Sequence, residues 1–132
     1  MFASRSCYPL NLNKISLKHG YPLHISILTE KFDIALYILN DPNCDPHVLN
    51  TIGANVVHLL FVKYDKDVNL CMKILNKCIS LGVDVNLVDQ INAAPIHIAL
   101  RKKQYQAIKD MVSLNKIHNR QIFDLNLTDK RG

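Results

Sequence analysis

Apolar positions recur along this chain in short clusters with helical spacing, and each cluster is followed by a polar break and then by another cluster. Ile25, Ile27 and Leu28 precede the break Thr29-Glu30-Lys31, after which Ile34, Ala35, Ile38 and Leu39 are spaced as one apolar helical face. The layout returns at 59–63, followed by Met72, Ile74, Leu75, Cys78 and Ile79. It returns again at 98–102, followed by Ala107, Ile108, Met111 and Val112. Each instance predicts a short helix, a tight turn and a second helix. A single pair of this size cannot bury its apolar face alone, so the pairs are expected to stack side by side.

The segment that opens each pair is self-similar. Gly20-Tyr21-Pro22-Leu23-His24-Ile25-Ser26, Gly53-Ala54-Asn55-Val56-Val57-His58-Leu59-Leu60 and Asn92-Ala93-Ala94-Pro95-Ile96-His97-Ile98-Ala99 align, with 34 positions from His24 to His58 and 39 from His58 to His97. A second signature recurs upstream of the boxes: Asp45, Asn50 and Gly53; Asp84, Asn86, Asp89 and Asn92; Asp124, Asn126, Asp129 and Gly132. These are turn formers whose side chains bond locally to the backbone. A period in this range is the mark of a repeat architecture.

The two signatures together resemble the ankyrin repeat, whose pattern runs G-x-TPLH-x-A, two helices, then G-A-D-V-N-x-x-D before the next glycine. GVDVNLVD at 82–89 is the closest match in the chain. The resemblance implies an all-α solenoid of stacked helix-turn-helix units with protruding β-turn or hairpin tips. It covers about 17–132, with units near 17–49, 50–88 and 89–128, the start of a further unit at 129–132, and 1–16 as an N-terminal extension or degenerate repeat tail. Asn92 stands where the family has glycine, as both residues tolerate a left-handed turn conformation.

The chain departs from the family pattern in three places. The second unit holds about six extra residues, placed in YDKDVN at 64–69, where they lengthen the inter-helix turn or the start of its second helix, and the third about seven, placed at 116–122 before FDLN resumes the pattern; such insertions map to loops. The second box is reduced to NVVH, without the Thr and Pro. Gly132 falls where a fourth box begins, which points to a piece of a longer repeat protein.

Composition changes this picture little. Hydrophobic residues make up 48% of the 132 and charged residues 20%, ordinary for a chain that buries a core. Apolar runs stay far below the roughly 20 residues of a membrane span, so no transmembrane helix is expected. The first 29 residues carry Arg5, Lys14 and Lys18 and no acid, faintly like an organellar presequence, but Pro9 and the Asn-rich stretch work against an amphipathic helix there. Cys7, Cys44, Cys71 and Cys78 form no CxxC pair and no dense disulfide spacing. Free thiols and an intracellular, cytoplasmic location are expected.

Six histidines invite a metal reading, which needs ring nitrogens at about 2.0 Å from one ion. Equivalent positions of stacked helices lie about 10 Å apart, so His24, His58 and His97 are assigned to the scaffold. In the family this histidine sits at the start of the first helix and bonds within and between neighbouring turns. Pro22, Pro95, Gly20, Gly53 and Gly82 are structural on the same reading. Cys44 and His47 have the spacing of half a zinc site without a second half, and Cys71 and Cys78 read as small core residues. No phosphate loop, carboxylate pair or HExxH helix is present in the sequence, so no catalytic residue, cofactor or metal is expected.

That leaves a binding scaffold. The resemblance implies a partner surface made by turn tips and first helices: Lys18, His19, Tyr21, Leu28 and Thr29 in the first unit; Thr51, Ile52, Ala54, Val62 and Lys63 in the second; Gln90, Ile91, Ala93, Arg101 and Lys102 in the third; Lys130 and Arg131 after it. That set contains no acid, and the chain's net charge is +5. The expected partner is therefore a protein with an acidic surface, with nucleic acid or another polyanion as the alternative.

Overall fold

Pro22 and Pro95 each sit in the first turn of a helix, where the missing N–H is one that no intrahelical acceptor would have used. In the second box Asn55 takes over the start signal: its Oδ1 accepts the backbone N–H of Val57 at 3.0 Å and of His58 at 3.1 Å, capping the helix that lacks a proline. The structure is a computed structural model and describes residues 21–126. These form α1 (Pro22–Leu28), α2 (Phe32–Leu39), α3 (Val56–Lys63), a 3-10 turn (Tyr64–Lys66), α4 (Val68–Ser80), α5 (Pro95–Arg101) and α6 (Tyr105–Ile117). Among the described residues there is no strand, and no helix is long and apolar enough to cross a membrane. The extension at 1–16, Lys18, His19, Gly20, Lys130, Arg131 and the start of a further unit at 129–132 lie outside the described residues.

Consecutive helices pack as pairs, α1 on α2, α3 on α4 and α5 on α6. The pairs then pack on one another in two layers, α1, α3 and α5 in one and α2, α4 and α6 in the other. Left-handed residues close several helices: Glu30 (φ 64°), Gly82 (φ 80°), Lys103 (φ 57°) and Asn119 (φ 51°). After each, the next N–H reaches back to a carbonyl five residues earlier, as in Lys31 to Ser26 at 2.8 Å and Val83 to Cys78 at 3.0 Å. These bonds satisfy helix-end carbonyls that have no intrahelical donor.

The core follows the register of the repeats. In the first pair Leu23, Ile27, Ala35 and Leu39 are buried, and at the same register in the second pair Val57, Phe61, Cys71 and Leu75 are buried. Phe61 stacks at an angle on Tyr64 (5.6 Å between ring centres) and lies 6.4 Å from Phe123, so the aromatic centre spans the second pair and the chain after α6. The spacing puts Ile34 on the buried face of its helix; it is instead 46% exposed, while Ala35, Ile38 and Leu39 of the same helix are buried.

The extra residues of the second unit lengthen both the inter-helix turn and the start of its second helix. They form the 3-10 turn and a second helix of 13 residues, against 8 in α2. Tyr64, inside the polar stretch, is fully buried, and its hydroxyl donates to Asp110 Oδ2 at 2.7 Å. Gln104, at the start of α6, holds the same turn: its amide Nε2 donates to the Val62 carbonyl and to Asp65 Oδ1, and its Oε1 accepts the Asp65 N–H. In the third unit α6 runs to Ile117, so the excess there is partly helical as well.

Candidate functional site

Two turns, at 50–54 and 89–93, are built bond for bond alike. Asn50 Oδ1 accepts the N–H of Ile52 at 3.0 Å and of Ala54 at 2.9 Å, while Asp89 Oδ1 accepts those of Ile91 and Ala93, both at 3.0 Å. The Asn50 N–H donates to the Ala54 carbonyl and the Asp89 N–H to the Ala93 carbonyl. The left-handed position of each turn is filled by Gly53 (φ 77°) and Asn92 (φ 62°), the two residue types that enter this region with least strain. Asp45, Asp84 and Asp124 each accept the N–H two residues on, at 2.9 Å. Asn50, Asp45, Asp84, Asp89 and Asp124 thus bond locally to the backbone, whereas Asn86 reaches the Ile122 carbonyl and the Asp124 N–H.

The two turns are also tied to each other. The Gln90 N–H donates to the Ile52 carbonyl at 2.9 Å, and Asn55 Nδ2 donates to the Asp84 carbonyl at 2.7 Å. On these hydrogen-bonded turns Thr51, Ile52, Gln90 and Ile91 are exposed. Leu49 and Val88, three residues before Ile52 and Ile91, are exposed too and lie outside the contact set that the resemblance implies. The 39-residue spacing that relates Ile52 to Ile91 relates Leu49 to Val88 as well, and would have found them.

Several predicted contact residues fall elsewhere. Ala54 and Ala93 are buried and serve through their backbone, each N–H and carbonyl closing its own turn, so neither side chain can meet a partner. Lys63 is half-buried and its Nζ lies 3.3 Å from Glu30 Oε2, which brings an acid into a surface read as purely basic. Tyr21 is half-buried and stands edge-on to His24 at 5.5 Å between ring centres. Val62 is half-buried, while Leu28, Thr29, Arg101 and Lys102 are exposed.

The three box histidines are all buried but differ in their bonds. His58 Nδ1 accepts the Asn55 N–H at 3.1 Å, and its Nε2 meets the Ala93 carbonyl of the next unit at 2.9 Å. A carbonyl can only accept, so Nε2 carries a proton; Nδ1 also lies 2.9 Å from Asn55 Oδ1, and it accepts the Asn55 N–H in the neutral ring that burial favours. Burial lowers its pKa, with the Ala93 carbonyl opposing. His97 Nδ1 accepts the Ala94 N–H at 2.9 Å. His24 has no hydrogen-bond partner on either ring nitrogen among the described residues. The expected tie from box to neighbour is therefore present at His58 and absent at His24. Burial drives the His24 pKa down to about 4; the Val48 carbonyl draws it up slightly without reaching hydrogen-bond geometry.

The thiols are held protonated. Burial pushes Cys44 up to about 11, Cys71 to about 12 and Cys78 to about 12, with neighbouring carboxylates adding to the first two. Thiolate is the nucleophile and the metal ligand, so these groups are unreactive at neutral pH. Among the described residues no three His, Cys, Asp or Glu side chains gather as a metal site. Compared with protein-family models and with curated proteins, the chain matches none.

Proposed function

We propose that the chain is an ankyrin-type repeat solenoid whose role is non-enzymatic recognition of another protein, with the two tied turns as the centre of contact. The observation that carries this reading is the pairing of rigidity with exposed aliphatic surface. Leu49, Ile52, Val88 and Ile91 stand out from backbone that is fixed by side-chain caps and by the bond from Gln90 to Ile52. Ordered aliphatic groups in solvent are suited to fill pockets on a partner at little entropic cost, as binding hot spots do. Arg101 and Lys102 flank the third unit and favour a partner with acidic groups beside its apolar anchor.

Capture from a lysate on immobilised chain, read by mass spectrometry, tests the reading. Ile52→Arg with Ile91→Arg is expected to abolish the captured partner while the thermal melt stays within about a degree, since exposed substitutions away from special features change little. Retention of every partner by the double variant sinks the proposal.

A second reading is favoured by the exposed run of Arg101, Lys102 and Lys103 at the end of α5: binding of a polyanion. It predicts affinity for random DNA or RNA that falls steeply with salt, one cation released per phosphate contacted, and loss of that affinity on Arg101→Glu with Lys102→Glu.

A further inference from the structure

The extra residues of the third unit, at 116–122, extend α6 and then pass beside the chain that follows α4. Between the two segments lies a cleft of about 310 Å³, at the lower end of the range for small-molecule sites. Residues 82–86 form one wall and 120–122 the other, with Ile79, Val83, Val85 and Ile122 as an aliphatic lining. The cleft belongs to the junction of the second and third pairs, and it shares no lining residue with the turns at 50–54 and 89–93.

Hydrogen bonds fix both walls. Asn86 joins one to the other: its Nδ2 donates to the Ile122 carbonyl at 3.0 Å, and its Oδ1 accepts the Asp124 N–H at 2.8 Å. Asn115 clamps the second wall from α6, its Nδ2 donating to the Phe123 carbonyl and its Oδ1 accepting the Phe123 N–H, while the Arg120 N–H donates to the Asn115 carbonyl at 3.1 Å. On the first wall the Asp84 carbonyl accepts Asn55 Nδ2 at 2.7 Å and Asp84 Oδ1 accepts the Asn86 N–H at 2.9 Å. A cleft held this way loses little conformational freedom when a ligand enters.

The polar groups that remain are of opposite kinds on the two walls. Arg120 and Gln121 bring a guanidinium and an amide, both exposed and neither side chain hydrogen-bonded among the described residues. On the facing wall Asp84 is exposed and uses only Oδ1. Asp84 and Arg120 line the same cleft, yet no ion pair joins them. Opposite charges held apart beside an aliphatic lining complement a ligand with the reverse arrangement: a carboxylate for the guanidinium fork, an ammonium for the carboxylate, and hydrocarbon against the lining. We propose that this cleft binds a small zwitterion with an aliphatic side chain, an amino acid or a dipeptide, with its carboxylate on Arg120 and Gln121 and its ammonium on Asp84. The site stands or falls independently of the partner reading.

Isothermal titration calorimetry of the full chain at pH 7, with leucine and leucyl-leucine as probes, tests it. At least one of the two is expected to bind, and the one preferred reports the span between the two charges. N-acetylation of that probe removes its ammonium and amidation its carboxylate; each change is expected to weaken binding about tenfold or more, the loss of a hydrogen bond between charged groups. Arg120→Gln and Asp84→Asn are expected to weaken it alike. Both sites are exposed, and Asp84→Asn keeps an oxygen for the Asn86 N–H, so the melts of both variants should match the wild type. In Asp84→Asn, acetylation of the probe should weaken binding no further. Absence of binding by both probes at millimolar concentration overturns the proposal, as does affinity that survives acetylation, amidation or either substitution undiminished.

Discussion

Two histidines at the same repeat position are expected to respond oppositely to the same substitution. His58→Leu removes the acceptor for the buried Asn55 N–H and the donor to the Ala93 carbonyl. Leaving a buried N–H without a partner costs about 1–3 kcal/mol; the Ala93 carbonyl keeps its bond from the Asp89 N–H and adds less. The sum is a loss of about 3 kcal/mol, or about 10–15 °C in Tm for a domain of this size. His24→Leu removes a ring whose two nitrogens are desolvated and unbonded, so no partner is stranded. Exchanging an unsatisfied polar group for an apolar one of similar size is neutral or stabilising, with an expected gain of about 1 kcal/mol set against some repacking strain. His97→Leu, which strands the Ala94 N–H, falls on the destabilised side. Far-UV circular dichroism melts at pH 8 measure all three. Equal losses for His24→Leu and His58→Leu would refute the claim that the bonds, rather than the burial, decide what a box histidine contributes.

Three further outcomes follow from the same contacts. The folded-state pKa of His24 lies below the unfolded value of 6.5, so the unfolded chain takes the proton first; stability is intact above pH 6.5 and lost as pH falls toward 4, at about 1.4 kcal/mol per pH unit. Urea titrations at pH 7, 6 and 5 should show a shallower loss in His24→Leu than in the wild type, and parallel losses would contradict the assignment. Lys103 holds a left-handed conformation that a Cβ disfavours, so Lys103→Gly should raise the urea midpoint by the equivalent of about 0.5–1 kcal/mol, and a lower midpoint counts against it. Tyr64→Phe strips Asp110 of its hydroxyl donor; because Asp110 is partly reached by water, the loss should sit near about 1.5 kcal/mol with an unchanged denaturant slope.

The helices and turns were legible in the sequence because their signals are local. Apolar spacing located every helix pair, and the side chains of Asn50, Asp84 and Asp89 bond within a few residues of themselves, so turn chemistry could be read from the order of residues alone. What was not legible depends on distance along the chain. Tyr64 reads as part of a polar insertion until Asp110, in a helix of the next pair, is seen to meet it. Lys63 reads as a free cation until Glu30 is placed beside it. Ala54 and Ala93 occupy turn positions that look exposed by pattern, yet the turn folds them inward. Ile34 fits an apolar helical face, but which part of that face meets another helix is decided by packing between helices, not by spacing within one.

The polar ties described between units have a consequence for the order in which structure is gained and lost. They concentrate between the second and third pairs: Asn55 to Asp84, His58 to Ala93, Gln90 to Ile52, Tyr64 to Asp110, and Gln104 to Val62 and Asp65. At the first junction His24, the counterpart of His58, contributes no such bond among the described residues. A chain stitched this way does not melt as one block of uniform strength. Its second and third pairs should behave as one cooperative unit, to which the first pair is held by apolar packing and by the Lys63–Glu30 pair. Backbone amides in 23–39 should therefore exchange with solvent through an opening that leaves those in 57–114 protected, and a pulling force applied at the N-terminal end would peel that pair away before the rest yields.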